Sequence, residues 1–330
     1  MLITLDAAVT RLSRGEVVVL PSETVYGLAG LALHIDAVQK IFALKRRPAT
    51  NPLIVHTSSL EMAEDLCKIN DLAIKAAETF WPGPLTLVLP KKDIVPNIVT
   101  AGNETVAIRV PQHPVFLEIL KKLKQPLAAP SANPSNRTSP TEAKHITELF
   151  GENSPPTVDG GKATVGLEST VLDLSGSKPT ILRPGMVTRA ELVNCLSIDV
   201  EIVSSKLDNK QVGKEASAPA PGMQSIHYAP ITPLNLYHSV EEFWDSQNFD
   251  IGDLIIVSEG KIAEEIRAKG LPDSTCLSVN GCPHEIAQNL YAALIEQDSR
   301  KANRMHLIFS GESTGVNRAI LDRLQRAARA

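Results

Sequence analysis

The chain has 330 residues, with 33 lysines and arginines against 37 aspartates and glutamates, so its net charge is −4. Hydrophobic residues make up 43% and charged residues 21%, as in ordinary globular proteins, which excludes a disordered or collagen-like chain. Aromatic residues make up only 4%, which disfavours a protein that coats single-stranded nucleic acid by stacking bases on aromatic side chains. The length indicates about two domains.

Six short strands are predicted in the N-terminal part, and they end in loops rich in Pro, Ser, Thr or Asn. They cover residues 16–21, 85–90, 105–111, 126–131, 170–175 and 180–184. Helices are predicted between some of these strands. One is capped by Asp36 and ends before Pro48, and another ends at about Phe80. This pattern predicts a mixed α/β domain whose loops carry the function.

The clearest domain boundary lies at residues 204–228, which are polar, rich in Ala, Pro and Gly, and without periodicity. We predict a linker or lid there, between a catalytic domain of residues 1–203 and an accessory domain of residues 229–330. In the second domain each predicted strand is followed by a helix, and Gly270 is the predicted stop of the second helix. The strands cover residues 233–238, 253–258, 275–279 and 305–310. Four β-α units predict a small parallel three-layer domain.

The sequence also predicts a cytoplasmic protein with no membrane segment. Its N-terminus lacks the basic region and apolar run of a signal peptide, and no apolar stretch approaches the roughly 20 residues of a membrane span. The four cysteines include no C-x-x-C pair and do not form a disulfide framework. We therefore expect reduced thiols in a reducing compartment.

Several familiar motifs give no support for other enzyme classes. Residues 311–315 fit G-x-S-x-G between a strand and a helix, but no His follows them to complete a hydrolase triad. We interpret this segment as a loop that starts a helix. The sequence has no P-loop, no G-x-G-x-x-G after a strand, and no H-x-x-x-H pair for zinc.

The N-terminal domain places basic residues beside polar loops. Lys45-Arg46-Arg47 ends a predicted helix, where cations complement the helix dipole; the alternative is a phosphate clamp, because Arg holds phosphate through a planar fork. Arg109 shares a strand face with Thr105 and Ala107, and a buried Arg needs an anionic partner from the protein or a ligand. The loop at 130–141 is either an ordinary turn cluster or part of the same site. Convergence of these strand ends predicts a site for an anionic, nucleotide-sized ligand.

Taken together, these segments resemble the threonylcarbamoyl-AMP synthase family with its YrdC-like catalytic domain. The matching segments within residues 21–185 are PSETVYGL, KRRPATNPLIVH, FWPGPLTLVLP, VAIRVP, APSANPSNRTSP, GLESTV and ILRPG. The His227-Tyr228-Ala229-Pro230 element and the β-α domain after it resemble the long, two-domain type. The resemblance implies an α/β protein, with a YrdC-like twisted mixed sheet followed by a small Rossmann-like parallel β-α domain.

The resemblance implies a nucleotidyltransferase that joins L-threonine, bicarbonate and ATP into L-threonylcarbamoyladenylate and releases pyrophosphate. The product would serve N6-threonylcarbamoyladenosine modification of tRNA next to the anticodon, through a downstream threonylcarbamoyl-transferase complex. By motif position, the implied L-threonine site comprises Thr24, His56, Arg109, the main chain at Ala129, and Ser169. The implied ATP site comprises Lys45, Arg47, Asn51, Thr105, Ser131, Asn133, Ser139, Arg183 and Tyr228. Mg2+ is expected to be bound through the phosphates, with no protein side chain as its ligand.

Two departures from the family pattern are conservative. Ser22 stands where Thr is common and keeps the hydroxyl, and Asn136 stands where Gly is common. Asn tolerates the left-handed conformation better than other non-Gly residues, so the turn can survive.

Two other functions stay open. One is an RNA-binding module that takes double-stranded RNA by shape, with weak RNA contact also open for the synthase. The other is a carbamoyltransferase, although the cysteine spacing lacks the zinc fingers that such proteins normally add. The C-terminal domain is expected to stabilise the enzyme, regulate it or dock the enzyme that receives the adenylate.

Overall fold

The computed structural model describes residues 1–203, 228–250, 252–271 and 274–329. The predicted linker or lid at 204–228 lies outside the described residues apart from Tyr228. The predicted position of that boundary therefore stays a prediction.

Residues 1–203 form a mixed α/β domain around one sheet. Its strands are β1 (Val18–Leu20), β2 (Gly27–Leu31), β3 (Ile54–His56), β4 (Leu85–Pro90), β5 (Thr105–Arg109), β6 (Leu127–Ala128), β7 (Thr170–Asp173), β8 (Thr180–Arg183) and β9 (Glu201–Ile202). Its α-helices are α1 (Leu5–Ser13), α2 (Ile35–Lys45), α3 (Leu60–Glu64), α4 (Asp71–Phe80), α5 (Asn97–Thr100), α6 (Pro114–Leu123), α7 (Ala143–Phe150) and α8 (Arg189–Leu196). All six predicted strands are confirmed.

The sheet runs in the order β1-β2-β6-β3-β5-β4-β7-β8-β9. The pairs β3/β5, β4/β7 and β8/β9 are parallel, and the others are antiparallel, which confirms a mixed sheet. The register sets His56 opposite Arg109, so two predicted site residues are adjacent on neighbouring strands.

The two faces of the sheet differ because side chains alternate along each strand. Val55 and Ile108 belong to the main core, which helices α2, α4 and α8 complete. On the opposite face, Ile54, Ala107 and Val171 form a smaller apolar patch. The same face carries polar side chains of the site two residues after Ile54 and Ala107, at His56 and Arg109, and two residues before Val171, at Ser169.

One helix start differs from the prediction. The N-cap of α2 is His34, whose Nδ1 accepts the Ala37 N–H at 3.3 Å. Asp36 lies inside the first turn, so the prediction that it caps the helix was wrong. An imidazole nitrogen can accept this bond as a carboxylate would, and the Asp36 charge still complements the positive end of the helix dipole.

The C-terminal domain is a three-layer α/β unit, as predicted. Its strands are β10 (Leu234–Tyr237), β11 (Leu254–Glu259), β12 (Thr275–Ser278) and β13 (Met305–Ile308), and its helices are α9 (Val240–Asp245), α10 (Gly260–Ala268), α11 (Pro283–Ser299) and α12 (Gly315–Ala327). Among the described residues, its strands pair in parallel in the order β10-β13-β11-β12. Helices α9 and α10 cover one face, and α11 and α12 cover the other.

Two local predictions in this domain are also confirmed. The loop at 311–315 leads into α12, whose N-cap is Thr314. Gly270 follows α10 with φ +80°, the left-handed conformation that ends a helix. Within the described ranges, the longest and most apolar helices still fall short of what a membrane span requires.

Candidate active site

A pocket opens on the second face of the large sheet. It encloses about 590 Å³ of empty space, with the open solvent at its mouth included. Its lining comes from strand ends and from the loops that follow them, together with Tyr228 from the start of the C-terminal part. The pocket therefore lies where the sequence predicted the polar strand ends to converge.

All five residues of the predicted L-threonine site line this pocket: Thr24, His56, Arg109, Ala129 and Ser169. Arg109 is buried at the end of β5, and three of its nitrogens donate to protein acceptors. Nε donates to the Gly83 carbonyl at 3.0 Å, Nη1 to Thr24 Oγ1 at 3.0 Å, and Nη2 to Glu23 Oε1. Because a guanidinium has five N–H groups, these bonds leave one N–H on each terminal nitrogen for a ligand.

His56 offers a second polar contact beside Arg109. Burial and the neighbouring Arg109 charge lower the pKa of His56 to about 3, so the ring is neutral at pH 7. The ring stacks on Phe116 from α6, with ring centroids 5.0 Å apart. Its buried Nδ1 lacks a hydrogen-bond partner within the described part of the chain, so it is available to a ligand.

Four residues of the predicted ATP site also line the pocket: Arg47, Ser131, Arg183 and Tyr228. The Arg47 guanidinium is held by Asn51 Oδ1 at 2.7 Å and by the Pro52 carbonyl at 2.6 Å. Arg183 donates through Nη2 to the Ser169 carbonyl at 3.0 Å. Burial and the neighbouring Arg183 lower the pKa of Arg47 to about 9, so Arg47 remains protonated at pH 7.

Four other predicted ATP residues lie behind the lining and hold it. Lys45 is buried, and its Nζ donates to the Ser131 and Asn133 carbonyls, both at 2.5 Å, which ties α2 to the 130–141 loop. Asn51 holds Arg47, and Ser139 Oγ donates to Glu168 at 2.7 Å. This part of the site is therefore a preorganised support for the residues that face the ligand.

Thr105 is not brought into the pocket lining. It begins β5 and Arg109 ends it, so the two are about 13 Å apart along an extended strand. The shared face that the sequence predicted is present, but the pocket reaches only the Arg109 end.

Sequence reasoning missed several contributors. Ser22, Val25, Gly27, Ile54, Phe116, Pro130 and Glu168 line the pocket without having been assigned to it. Ser22 orders its turn, because its Oγ donates to the Val25 carbonyl at 2.6 Å and lies 2.9 Å from Thr24 Oγ1. Glu23 neutralises part of the Arg109 charge. Ser22 and Glu23 both lie in the PSETVYGL segment. The sequence signal that could have identified Glu23 is an acidic residue beside an expected anion site.

Glu168 is the acidic residue of the pocket lining. Burial alone would raise its pKa, but the guanidiniums of Arg323 and Arg183 outweigh burial and lower the pKa of Glu168 to about 2. Its two oxygens accept hydrogen bonds from Ser139, Tyr291 and Arg323, so they are already engaged by protein donors. Within the described ranges, His, Cys, Asp and Glu side chains form no group of three that could hold a metal ion.

Comparison with known proteins identifies a matching family for each of the two parts of the chain. Residues 10–185 match the family described as Telomere recombination, and residues 187–329 match the family described as Threonylcarbamoyl-AMP synthase, C-terminal domain. The Threonylcarbamoyl-AMP synthase of Pyrococcus abyssi is 39% identical over 318 residues, which cover 95% of this chain and 91% of that protein. The Threonylcarbamoyl-AMP synthase of Bacillus subtilis is 36% identical, with coverage of 97% and 92%.

Solved structures agree with these matches. The crystal structure of P. abyssi Sua5 complexed with L-threonine has a TM-score of 0.82 and 34% identity, and the match covers 98% of this chain and 94% of that one. E. coli YciO, at 22% identity and a TM-score of 0.50, shares the fold of the N-terminal domain over 55% of this chain. The chain therefore belongs to the threonylcarbamoyl-AMP synthase family, in its long form with two domains.

Proposed function

We propose that this protein makes L-threonylcarbamoyladenylate from L-threonine, bicarbonate and ATP, with release of pyrophosphate. The observation that carries the proposal is one pocket that combines Arg109 and His56 on adjacent strands with the guanidiniums of Arg47 and Arg183. Such a pocket suits a ligand pair with a carboxylate at one end and phosphates at the other. The relatives named above support the same reaction.

The threonine carboxylate would bind the two remaining N–H groups of Arg109. Its amine would then lie near the neutral ring of His56 and the hydroxyl of Ser169. Ser169 Oγ lies 2.7 Å from Thr86 Oγ1 and accepts from Arg183 Nη2 at 3.2 Å, so the position of its hydroxyl is fixed. This arrangement would hold the amine at the end of the pocket that is nearer to Arg183.

The nucleotide would occupy the end of the pocket with Arg47, Ser131, Arg183 and Tyr228. In the proposed sequence, the neutral threonine amine attacks CO2 and releases a proton to solvent, or attacks bicarbonate and releases water. An oxygen of the resulting carbamate then attacks the α-phosphorus, with pyrophosphate as the leaving group. The site supplies alignment and charge neutralisation, which can lower a barrier by many kcal/mol without a covalent enzyme intermediate.

Mg2+ fits this proposal as a cation brought by the triphosphate. The carboxylates near the pocket are already paired, Glu23 with Arg109 and Glu168 with Arg323. When bound, Mg2+ would neutralise phosphate charge. The proposal needs no protein side chain as its ligand.

The broader setting is also part of the proposal. The adenylate would be consumed in the cytoplasm by a threonylcarbamoyl-transferase complex that modifies tRNA next to the anticodon. Residues 1–203 would form the catalytic domain, 204–228 the linker or lid, and 229–330 the C-terminal domain.

The first test measures pyrophosphate release from ATP by the full chain. We expect release that needs both L-threonine and bicarbonate. Equal release with L-serine, or without an amino acid, would contradict the proposal.

The second test changes Arg109→Lys, which keeps the charge opposite Glu23 but removes the guanidinium fork. Loss of about one charge-assisted hydrogen bond should raise the KM for L-threonine about 10- to 100-fold. Arg11→Lys on α1, which is partly exposed and pairs with Glu16, is the matched control and should behave as wild type. A KM unchanged by Arg109→Lys would remove Arg109 from carboxylate binding.

A further inference from the structure

The C-terminal domain touches the pocket wall through the 166–171 segment. Gly166 has φ +78°, and a Cβ placed on it would lie 2.4 Å from the Gln288 Cα and 2.7 Å from the Ala287 carbonyl oxygen, both in α11. The loop of one domain therefore packs directly on the helix backbone of the other. Two residues after this contact, Glu168 lines the pocket.

Two of the donors that hold Glu168 come from the C-terminal domain. Tyr291 of α11 donates its hydroxyl to Glu168 Oε2 at 2.9 Å, and Arg323 of α12 donates Nε to the same oxygen at 3.0 Å. Ser139 donates to the other oxygen, Oε1. The orientation of this pocket carboxylate is therefore set largely from outside the N-terminal domain.

Arg323 makes further contacts with the pocket. Its side chain is fully buried, with a relative exposure of 1% for the residue. Nη2 donates to the Pro184 carbonyl at 3.0 Å, directly beside Arg183, and Nη1 pairs with Asp322 at 2.7 Å. The guanidinium also lies over the Tyr228 ring, 5.1 Å from its centroid.

Tyr291 supports the same group of residues. Its ring stacks on Tyr228 with centroids 5.8 Å apart, while its hydroxyl reaches Glu168. Together, Arg323 and Tyr291 contact the segments that contribute Glu168, Arg183 and Tyr228 to the pocket. The buried Arg323–Glu168 ion pair carries a desolvation cost that apolar packing would avoid. Its benefit is therefore expected in the orientation of the site residues and not in stability.

We propose that Arg323 and Tyr291 are positioning residues of the synthase site, which makes the C-terminal domain a structural part of that site. The inference rests on the proposed function for its catalytic readout. Arg323 holds Glu168 by a direct ion pair, and the charge of Arg183 also acts on this carboxylate. Without Arg323, the charge of Glu168 would be drawn to Arg183 and would compete with the phosphates for it.

The test compares two pairs of full-length variants, each with a matched control. Tyr291→Phe removes only the hydroxyl that reaches Glu168. Tyr237→Phe makes the same change at a buried tyrosine of the same domain, whose hydroxyl lies 3.0 Å from His306. Arg323→Met removes the buried guanidinium, and Arg318→Met does so at an exposed position of the same helix.

A positioning role for Arg323 and Tyr291 predicts that the KM for ATP changes more than the KM for L-threonine. Tyr291→Phe should raise the KM for ATP about tenfold, which is the lower end of what one hydrogen bond to a charged group contributes. Arg323→Met should raise it about 100-fold, because a misplaced site group can cost that much. The KM for L-threonine should change little, and both controls should match wild type.

A merely structural role would give a different pattern. Arg323→Met would then lower Tm and kcat with the KM for ATP unchanged, and Tyr291→Phe would equal Tyr237→Phe; either result overturns the inference. If wild type lacks threonine-dependent turnover, the proposed function fails by itself. Calorimetric ATP binding then decides the inference, which requires weaker binding in Tyr291→Phe than in Tyr237→Phe.

Discussion

Replacing Gly166 with Ala would separate the two domains at one point without removing any polar group. A Cβ at this position lies 2.4 Å from the Gln288 Cα, whereas ordinary van der Waals contact begins at 3.4 Å. The helix must therefore retreat by about 1 Å or the loop must move by as much. The 2.9 Å hydrogen bond between Tyr291 and Glu168 would then stretch to about 3.9 Å, beyond hydrogen-bonding distance.

The free-energy cost of this substitution has two parts. A non-Gly residue in the left-handed conformation costs about 1–2 kcal/mol, and overpacking adds about 1–3 kcal/mol. Gly102→Ala is the matched control, because Gly102 has φ +81° and nothing within 4 Å of its ideal Cβ. We expect Gly102→Ala to incur only the conformational cost and Gly166→Ala to incur both the conformational and the overpacking cost.

The assay combines denaturant unfolding with pyrophosphate release. Gly166→Ala should be destabilised by about 1–3 kcal/mol more than Gly102→Ala, and should lose ATP-dependent activity by about 100-fold. The reasoning is refuted if the two variants have equal stability and equal activity. Reduced stability with full activity would show that the domain contact is dispensable for the site.

Two further predictions concern pH and backbone conformation. Burial and Arg109 lower the pKa of His56 to about 3, so acidification from pH 7 to pH 5 protonates His56 only in the unfolded chain and should lower the unfolding free energy by about 2 kcal/mol. Over the same pH range, the unfolding free energy of His56→Asn should fall by about 2 kcal/mol less than that of wild type. An equal fall in the two proteins would contradict the lowered pKa of His56. Asn136 has φ +70° and its carbonyl accepts the Ala229 N–H at 2.9 Å, so Asn136→Val should lower the unfolding free energy by about 2 kcal/mol while Asn136→Gly stays near wild type; equal stability of the two variants would refute this.

Most strands of the N-terminal domain could be predicted from the sequence, the short β1 and β6 included, whereas β2, β3 and β9 could not. Strands such as β5 and β7 alternate over four or five residues and end in polar loops. The strands β3 and β9 have only three and two residues, and β2 contains two glycines, so none carries a strong local pattern. Their positions depend on pairing with distant strands, which a single sequence does not show.

The residues of the site also fall into those that could be predicted from the sequence and those that could not. Arg109 could be identified because a cation in an apolar strand needs a partner, whereas the identity of that partner, Glu23, depends on a contact across 86 residues. Arg323 lies 155 residues from Glu168. Its only local indication is its place on the apolar face of α12, in line with Val316 and Ile320. The sequence thus indicates which residue is anomalous, and the fold supplies its partner.

The nearly neutral composition and the anion pocket are compatible because of how the pocket cations are held. Within the described residues, Lys45 donates to two carbonyls and Arg47 to amide and carbonyl oxygens, and neither pairs with a carboxylate. Burial lowers the pKa of both groups, because desolvation disfavours their charged forms. Acceptors without net charge fix the geometry of Arg47 but leave its positive charge uncancelled, so a phosphate ligand would meet a strong local field. Arg109 and Arg323 are paired with carboxylates instead, which fits the proposed roles of Arg109 in carboxylate binding and of Arg323 in positioning.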